Sequence, residues 1–355
     1  LTVRALHTPG HTAESMSYAV YAPENDAEAW CVFTGDALFF GTTGRTDLPH
    51  ESSAAENAAL LYDSVHEKLA PLGDAALVLP AHGAGSVCGS GMAERPYSTL
   101  GAEKRYNEVF TLARGAFAEK KGRERIPRPP YFGLMEEVNL TGGLEPVLAP
   151  GEVPLISPAD FAEASADTLV FDTREPEGFA GGHIEGSHAI WLGGLPVFGG
   201  WIGDARSPVH LVTDRDVDVD TAVRHLTRIG IDRIEGALAG GFGAWRGAGR
   251  PIQHAAVITP RELFDDRDRF QVLDVREPGE YAAGHIPGAR RLYVGHLAER
   301  LDELELDPEQ PTVITCNIGY RSGLGVSILL RRGFHDVRNL LGGMNAWQNL
   351  ELPVE

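Results

Sequence analysis

Cysteine is scarce. Three in 355 residues, Cys31, Cys88 and Cys316, form no disulfide framework, and a reducing cytoplasm is the expected compartment. Basic residues are also in short supply. Thirty-one Lys and Arg against fifty Asp and Glu give a net charge of −19, which argues against nucleic acid and anionic membranes as partners. No apolar run approaches the roughly 20 residues of a membrane span. No secretory signal pattern opens the chain as given, and the first residue is Leu1 rather than Met. What is present is ordinary globular composition, 43% hydrophobic and 23% charged, at a length that predicts two or three domains.

The chain repeats itself at a constant offset of 102 residues. Phe171-Asp172-Thr173-Arg174-Glu175-Pro176 matches Leu273-Asp274-Val275-Arg276-Glu277-Pro278. Gly182-His183-Ile184 matches Gly284-His285-Ile286, and Gly240-Gly241 through Trp245 matches Gly342-Gly343 through Trp347. So long a period means duplicated domains rather than a solenoid. Each copy opens on a helix signal, Ser157-Pro158-x-Asp160 or Thr259-Pro260-x-Glu262, and then alternates strands with helices. That order predicts α/β units with parallel sheets. The repeated Asp-x-Arg and Gly-His-Ile motifs read as scaffold. Residues 133–153 read as a linker between what precedes the repeat and the repeat itself.

One loop departs from the repeat. Thr315-Cys316-Asn317-Ile318-Gly319-Tyr320-Arg321-Ser322 lies between a short apolar strand and a helix face marked by Leu324, Ile328 and Leu329. Backbone amides at a helix start favour an anion and draw a thiol toward the thiolate, and Arg321 adds positive charge. In the first copy the same positions are Asp214, Val217 and Val219 in place of Cys316, Gly319 and Arg321. That copy cannot carry sulfur on a cysteine, so it reads as a scaffold, spacer or docking surface. Trp191 and Trp201 could line such a surface, although a core role fits them better.

The Cys316 loop resembles the active loop of rhodanese sulfurtransferases, whose cysteine carries sulfur as a persulfide, and both copies resemble rhodanese domains. Related phosphatases have a loop one residue longer. The four residues between Cys316 and Arg321 favour sulfur transfer, with Asn317, Ile318, Gly319 and Tyr320 forming the loop.

Upstream, four short strands are expected near residues 3–6, 18–21, 30–33 and 76–79, with a helix opened by the Ser53/Glu56 capping box. The strand ends deliver His11, Asp36 and His82, residue types that bind zinc or non-haem iron. Thr8-Pro9-Gly10-His11-Thr12, Thr34-Gly35-Asp36 and Pro80-Ala81-His82 resemble the second half of the metallo-β-lactamase fold. Asp36 through Phe40, followed by Gly44-Arg45-Thr46-Asp47, resembles persulfide dioxygenases within it. The resemblance implies one iron(II) per chain with His11 and Asp36 as ligands, Arg45 on the thiol part of the substrate, and His82 beside the metal without binding it. The family's upstream His-x-His-x-Asp-His motif does not occur, so the expectation is that a preceding segment is missing from the sequence. Cys31 and Cys88 read as small apolar residues.

The expected fold is thus α/β: a partial metallo-β-lactamase αββα sandwich over 1–132, the linker, an inactive rhodanese-like domain at 154–251 and an active one at 256–355. Resemblance further implies oxidation of a glutathione or coenzyme A persulfide with O2 to sulfite and thiol. Sulfane-sulfur transfer by Cys316, which makes or uses thiosulfate, would be coupled to it, and a homo-oligomer is expected. Two other readings stay open, a di-zinc glyoxalase-type thioesterase fused to rhodanese, and a sulfurtransferase with a non-catalytic metal domain.

Overall fold

The computed structural model describes residues 1–24, 27–48, 53–83, 86–89, 91–142 and 151–355. They fall into two compact units, Leu1–Ile126 and Pro127–Glu355.

The first unit is built on a mixed sheet of β1 (Thr2–His7), β2 (Met16–Tyr21), β3 (Cys31–Gly35), β4 (Leu77–Pro80) and β5 (Ser98–Thr99), paired in chain order. Side chains alternate across a pleated sheet, so Ala19, Val32 and Val78, paired directly opposite one another, share one face. That face is buried under Leu61, Val65, Leu69, Leu100 and Phe117. Leu61 lies on the helix Ala54–Ser64, which Ser53 and Glu56 cap reciprocally as their spacing requires. Tyr18 and Phe33, paired on the opposite face, are about half exposed, at 45% and 50%. Two short helices follow β5, Leu100–Tyr106 and Glu108–Thr111. Asn107 turns extended between them and caps the second.

In the second unit the repeat is visible as topology. One sheet holds β6 (Leu155–Ile156), β7 (Leu169–Asp172), β8 (His188–Ala189), β9 (Val209–Val212) and β10 (Ile234–Leu238) in the order β6-β10-β9-β7-β8. The other holds β11 (Ala256–Ile258), β12 (Gln271–Asp274), β13 (Arg290–Arg291), β14 (Thr312–Thr315) and β15 (Val337–Leu340) in the order β11-β15-β14-β12-β13. Both are the same permutation, parallel throughout. Strands buried on both faces need apolar runs, and Val209–Val212 and Thr312–Thr315 are wholly buried.

The boundary differs from the sequence expectation. The division falls after Ile126 rather than at 132, and Phe132–Thr141 is a helix rather than linker. It docks on the first copy: the Tyr131 hydroxyl donates to the Pro196 carbonyl at 2.8 Å. Residues 143–150 of the expected linker lie outside the described residues.

The repeated Asp-x-Arg motif is a buried ion pair in each copy. Arg276 binds Asp274 at 2.7 Å and donates to the Gly284 carbonyl at 2.8 Å, while Arg174 does the same with Asp172 and Gly182. It therefore ties the end of a strand to the Gly-His-Ile turn. Removing one member of a buried pair strands the other charge. Asp274→Ala is expected to lower unfolding free energy by about 3–5 kcal/mol, read as a shifted denaturant midpoint at unchanged m-value.

Candidate active loop and metal centre

Cys316 is the first residue after β14 and is buried, 1% exposed. Its loop closes on the helix Tyr320–Arg331. Gly319, at φ +115°, takes a backbone conformation that L side chains rarely adopt, and so turns its N–H onto the Cys316 Sγ at 3.1 Å. Ser322 Oγ lies 3.3 Å from the sulfur and 2.7 Å from Asn339 Oδ1, while Asn339 Nδ2 donates to the Gly319 carbonyl at 2.9 Å. The repeated Gly-Gly motif buttresses this loop from behind. Met344 and Asn345 donate their N–H groups to the Cys316 and Asn317 carbonyls, at 2.8 and 3.0 Å. A Cβ on Gly343 would lie 2.3 Å from the Cys316 carbonyl oxygen, so only glycine permits the approach.

Arg321 holds Glu280 through both terminal nitrogens, at 2.6 and 2.7 Å, and Asn317 Nδ2 donates to the same carboxylate at 2.6 Å. Burial pushes the Glu280 carboxyl up, but the Arg321 pair and the donors from Glu277 and Asn317 together hold it below the usual range. Both ends of the loop are therefore tied to one acidic side chain. Arg321 was expected to add positive charge to the loop. The structure uses it as a loop tie, its charge matched by Glu280. Of the remaining loop residues, Ile318 is exposed and Tyr320 reaches the first copy, where Trp191 stands edge-on at 5.0 Å. Trp201 lies over Gly295 and beside Tyr293 and His296 of the second copy. Both tryptophans line the seam between copies rather than the core of one copy.

In the first unit the strand ends converge as their motifs require. His11 follows the Pro9-Gly10 break after β1, and Asp36 follows β3. His11 Nε2 lies 4.0 Å from Asp36 Oδ2. His11 Nδ1 bonds to the Arg45 carbonyl at 2.8 Å, which makes Nδ1 the donor and leaves the Nε2 lone pair facing Asp36. Burial also pulls the His11 ring toward its neutral form, the form that binds a metal. His82 Nδ1 bonds to Asp36 Oδ1 at 2.7 Å, and this bond, supported by Cys88, pushes its pKa up to about 10.

Arg45, expected on the thiol part of the substrate, has its guanidinium engaged by groups of its own unit. It is buried, bidentate on Asp47 at 2.6 and 2.7 Å, and donates to the Val87 and Ile126 carbonyls. Its backbone N–H donates to the Cys88 carbonyl at 2.8 Å, so the backbone of one residue fastens both His11 and Cys88. The sequence reading missed Cys88 as a site residue. Its sulfur and the ligand atoms of His11 and Asp36 all lie within 4.8 Å of one another. The signal available was its position soon after His82 in a glycine-rich loop. Two donors bound to one ion at about 2.0–2.3 Å stand up to about 4.5 Å apart. The group lies close to that limit, and its donor types suit one divalent metal ion.

A model of the rhodanese-like domain family matches residues 259–350, the segment that holds the Cys316 loop. The thiosulfate sulfurtransferase GlpE of Pseudoalteromonas translucida is 38% identical over 97 residues, 27% of this chain and 90% of that protein. The chain belongs to the rhodanese family. Its first rhodanese-like copy lacks the cysteine and its second keeps it. A solved metallo-beta-lactamase from Staphylococcus aureus subsp. aureus COL is 30% identical at a TM-score of 0.54, with 67% of this chain and 66% of that chain covered. The chain thus spans about two thirds of that protein's length, and its α/β fold joins a metallo-β-lactamase-like unit to the rhodanese copies. ETHE1 of Myxococcus xanthus matches at 33% identity over 39% of this chain and 52% of that one. Its TM-score of 0.31 is too slight to argue from. Among the described residues no helix is long and apolar enough to cross a membrane.

Proposed function

We propose that the protein acts in sulfur metabolism through two centres, a rhodanese cysteine and an iron(II) persulfide dioxygenase site. Sulfurtransferase chemistry rests on family membership and on the Cys316 cradle. The Cys316 thiolate attacks the outer sulfur of a low-molecular-weight persulfide, R–S–SH. The S–S bond breaks, R–S⁻ leaves, and the cysteine persulfide forms. Sulfite then attacks that outer sulfur, giving thiosulfate and restoring the thiolate. The loop's part is positional: the Gly319 N–H faces the sulfur throughout, and Glu280 holds the loop closed behind it.

The convergence of His11 Nε2 and Asp36 Oδ2 carries the dioxygenase reading. His11 and Asp36 would hold the iron(II), which when bound supplies redox-active positions for persulfide and O2. Arg45 fixes the His11 tautomer through its carbonyl, and His82 holds the second oxygen of Asp36. The overall change is R–S–SH + O2 + H2O to R–SH, sulfite and two protons. Its sulfite is the acceptor Cys316 needs, and the carrier thiol is glutathione or coenzyme A.

The test is oxygen uptake when glutathione persulfide meets the iron(II)-loaded protein. Rapid uptake with sulfite release is the expected outcome. No uptake, with sulfur transfer intact, would overturn the dioxygenase half and leave a sulfurtransferase alone.

A further inference from the structure

Asn339 is a polar side chain in an apolar place. It lies in β15, paired opposite Ile314 of β14 in a parallel sheet, and it is buried. Strands covered on both faces normally carry apolar residues. At the offset of 102 the first copy has Ala237, also buried, in β10. A small apolar residue therefore suffices for the strand, and the asparagine stands only in the copy that holds the cysteine. Ser322 is absent from the first copy too. Its position there is Asp220, whose carboxylate accepts the Gly151 N–H at 2.8 Å.

The hydrogen bonds around Asn339 have forced directions. A carbonyl oxygen accepts and never donates, so the amide end 2.9 Å from the Gly319 carbonyl is the NH2 group. That leaves Oδ1, another pure acceptor, 2.7 Å from Ser322 Oγ. The Ser322 proton therefore rests on Asn339, and the Ser322 oxygen turns lone pairs toward the Cys316 sulfur 3.3 Å away. Lone pairs suit a neutral sulfur, either a thiol that donates its own proton or the inner sulfur of a persulfide. They oppose a bare thiolate, which the Gly319 N–H at 3.1 Å favours.

Building on the sulfur-transfer reading above, we infer that Ser322 is a two-position donor whose resting position Asn339 sets, and that it serves the discharge of Cys316. In discharge sulfite attacks the outer sulfur. The S–S bond breaks, its electron pair goes to Cys316 Sγ, and charge appears on an atom that carried none. The Ser322 O–H turns from Asn339 Oδ1 to that thiolate, its proton staying on its own oxygen throughout. The new bond is charge-assisted and stronger than the neutral one it replaces, so it favours the leaving thiolate. When Cys316 loads again the sulfur becomes neutral and the hydroxyl returns to Asn339. Ser322 touches the reacting sulfur, and Asn339 is a positioning residue that acts through it.

The experiment loads the full chain with glutathione persulfide and then discharges it with sulfite, following each step by intact mass as gain or loss of one sulfur. Ser322→Ala is expected to slow discharge about tenfold more than loading. In an Asn339→Ala background the same substitution should cost about thirtyfold, because a hydroxyl with no rival acceptor gives its full hydrogen bond to the thiolate. Asn339→Asp restores an acceptor, and there Ser322→Ala should again cost no more than about tenfold. An equal factor with and without Asn339 would overturn its role, since a mere strut for the loop shifts both members of each pair alike. Discharge and loading slowed equally by Ser322→Ala would overturn the Ser322 step. A measurement on unsubstituted protein guards against variants that fail to fold. The infrared S–H stretch of protonated Cys316, isolated by difference against Cys316→Ser, should lie below that of a free thiol, and an unshifted band would overturn the resting arrangement. Wild-type protein that takes no sulfur from glutathione persulfide would instead overturn the sulfur-transfer reading itself.

Discussion

Cys316→Ser abolishes sulfur transfer, with an expected loss of about a thousandfold or more in turnover, and leaves the fold unchanged. The fold survives because the serine oxygen occupies nearly the same buried position. The Gly319 N–H and Ser322 hydroxyl that now face sulfur can face oxygen as well. The chemistry does not survive, because an alkoxide is inaccessible near neutral pH and an oxygen cannot hold and release sulfane sulfur as a disulfide-level sulfur does. Intact mass after exposure to a persulfide reads this directly, since the wild type gains one sulfur and the variant none. Retained loading in the variant would move the nucleophile elsewhere. Cys31 is a poor alternative, buried in β3 with its thiol pushed up by burial. Residual loading would therefore point to Cys88 beside His82. Oxygen uptake at the metal centre is expected to persist in Cys316→Ser, and its loss together with transfer would sink the two-centre reading.

Much of this arrangement was legible because it depends on local chemistry. The 102-residue offset predicted two equivalent α/β units, and the two sheets have the same strand order. The spacing Thr259-Pro260-x-Glu262 predicted a capped helix, and Thr259 and Glu262 cap each other. Pro-Gly and Thr-Gly breaks placed His11 and Asp36 at strand ends, where they meet. What escaped the sequence depends on partners distant along the chain. Nothing beside Arg321 announces Glu280, 41 residues earlier, so the guanidinium reads as free charge until the fold brings the two together. Trp191 and Trp201 look like core residues because a seam between copies and the core of one copy demand the same apolar surface. The helix Phe132–Thr141 has a glycine near its start and weak amphipathicity, and it forms because Tyr131 and Leu134 dock on the first copy. Lys121 looks like a surface residue by type, yet it is buried with its ammonium on Glu124 and the Thr43 carbonyl.

The second large effect is expected at Asp36. Asp36→Ala removes the carboxylate that both histidines of the centre face. His11 Nε2 loses the oxygen 4.0 Å away that completes its donor pair, and His82 loses its 2.7 Å partner. His11 itself stays oriented, because the Arg45 carbonyl that fixes its tautomer belongs to a different segment, anchored by Asp47 and by the Val87 and Ile126 carbonyls. The variant should therefore fold and keep a histidine and a thiol in place, yet lose the one anionic oxygen donor suited to a hard iron(II) ion. Iron retained per chain after gel filtration is expected to fall to background, with affinity reduced about a hundredfold or more. A residue that acts only through a ligand typically costs about 10–100-fold. That comparison sets the control: His82→Ala removes a partner of Asp36 rather than a donor to the ion, and should lower iron affinity about tenfold while retaining a measurable stoichiometry. Unchanged iron in Asp36→Ala would refute its assignment as a ligand. Equal and complete loss in both variants would place His82 in the donor set.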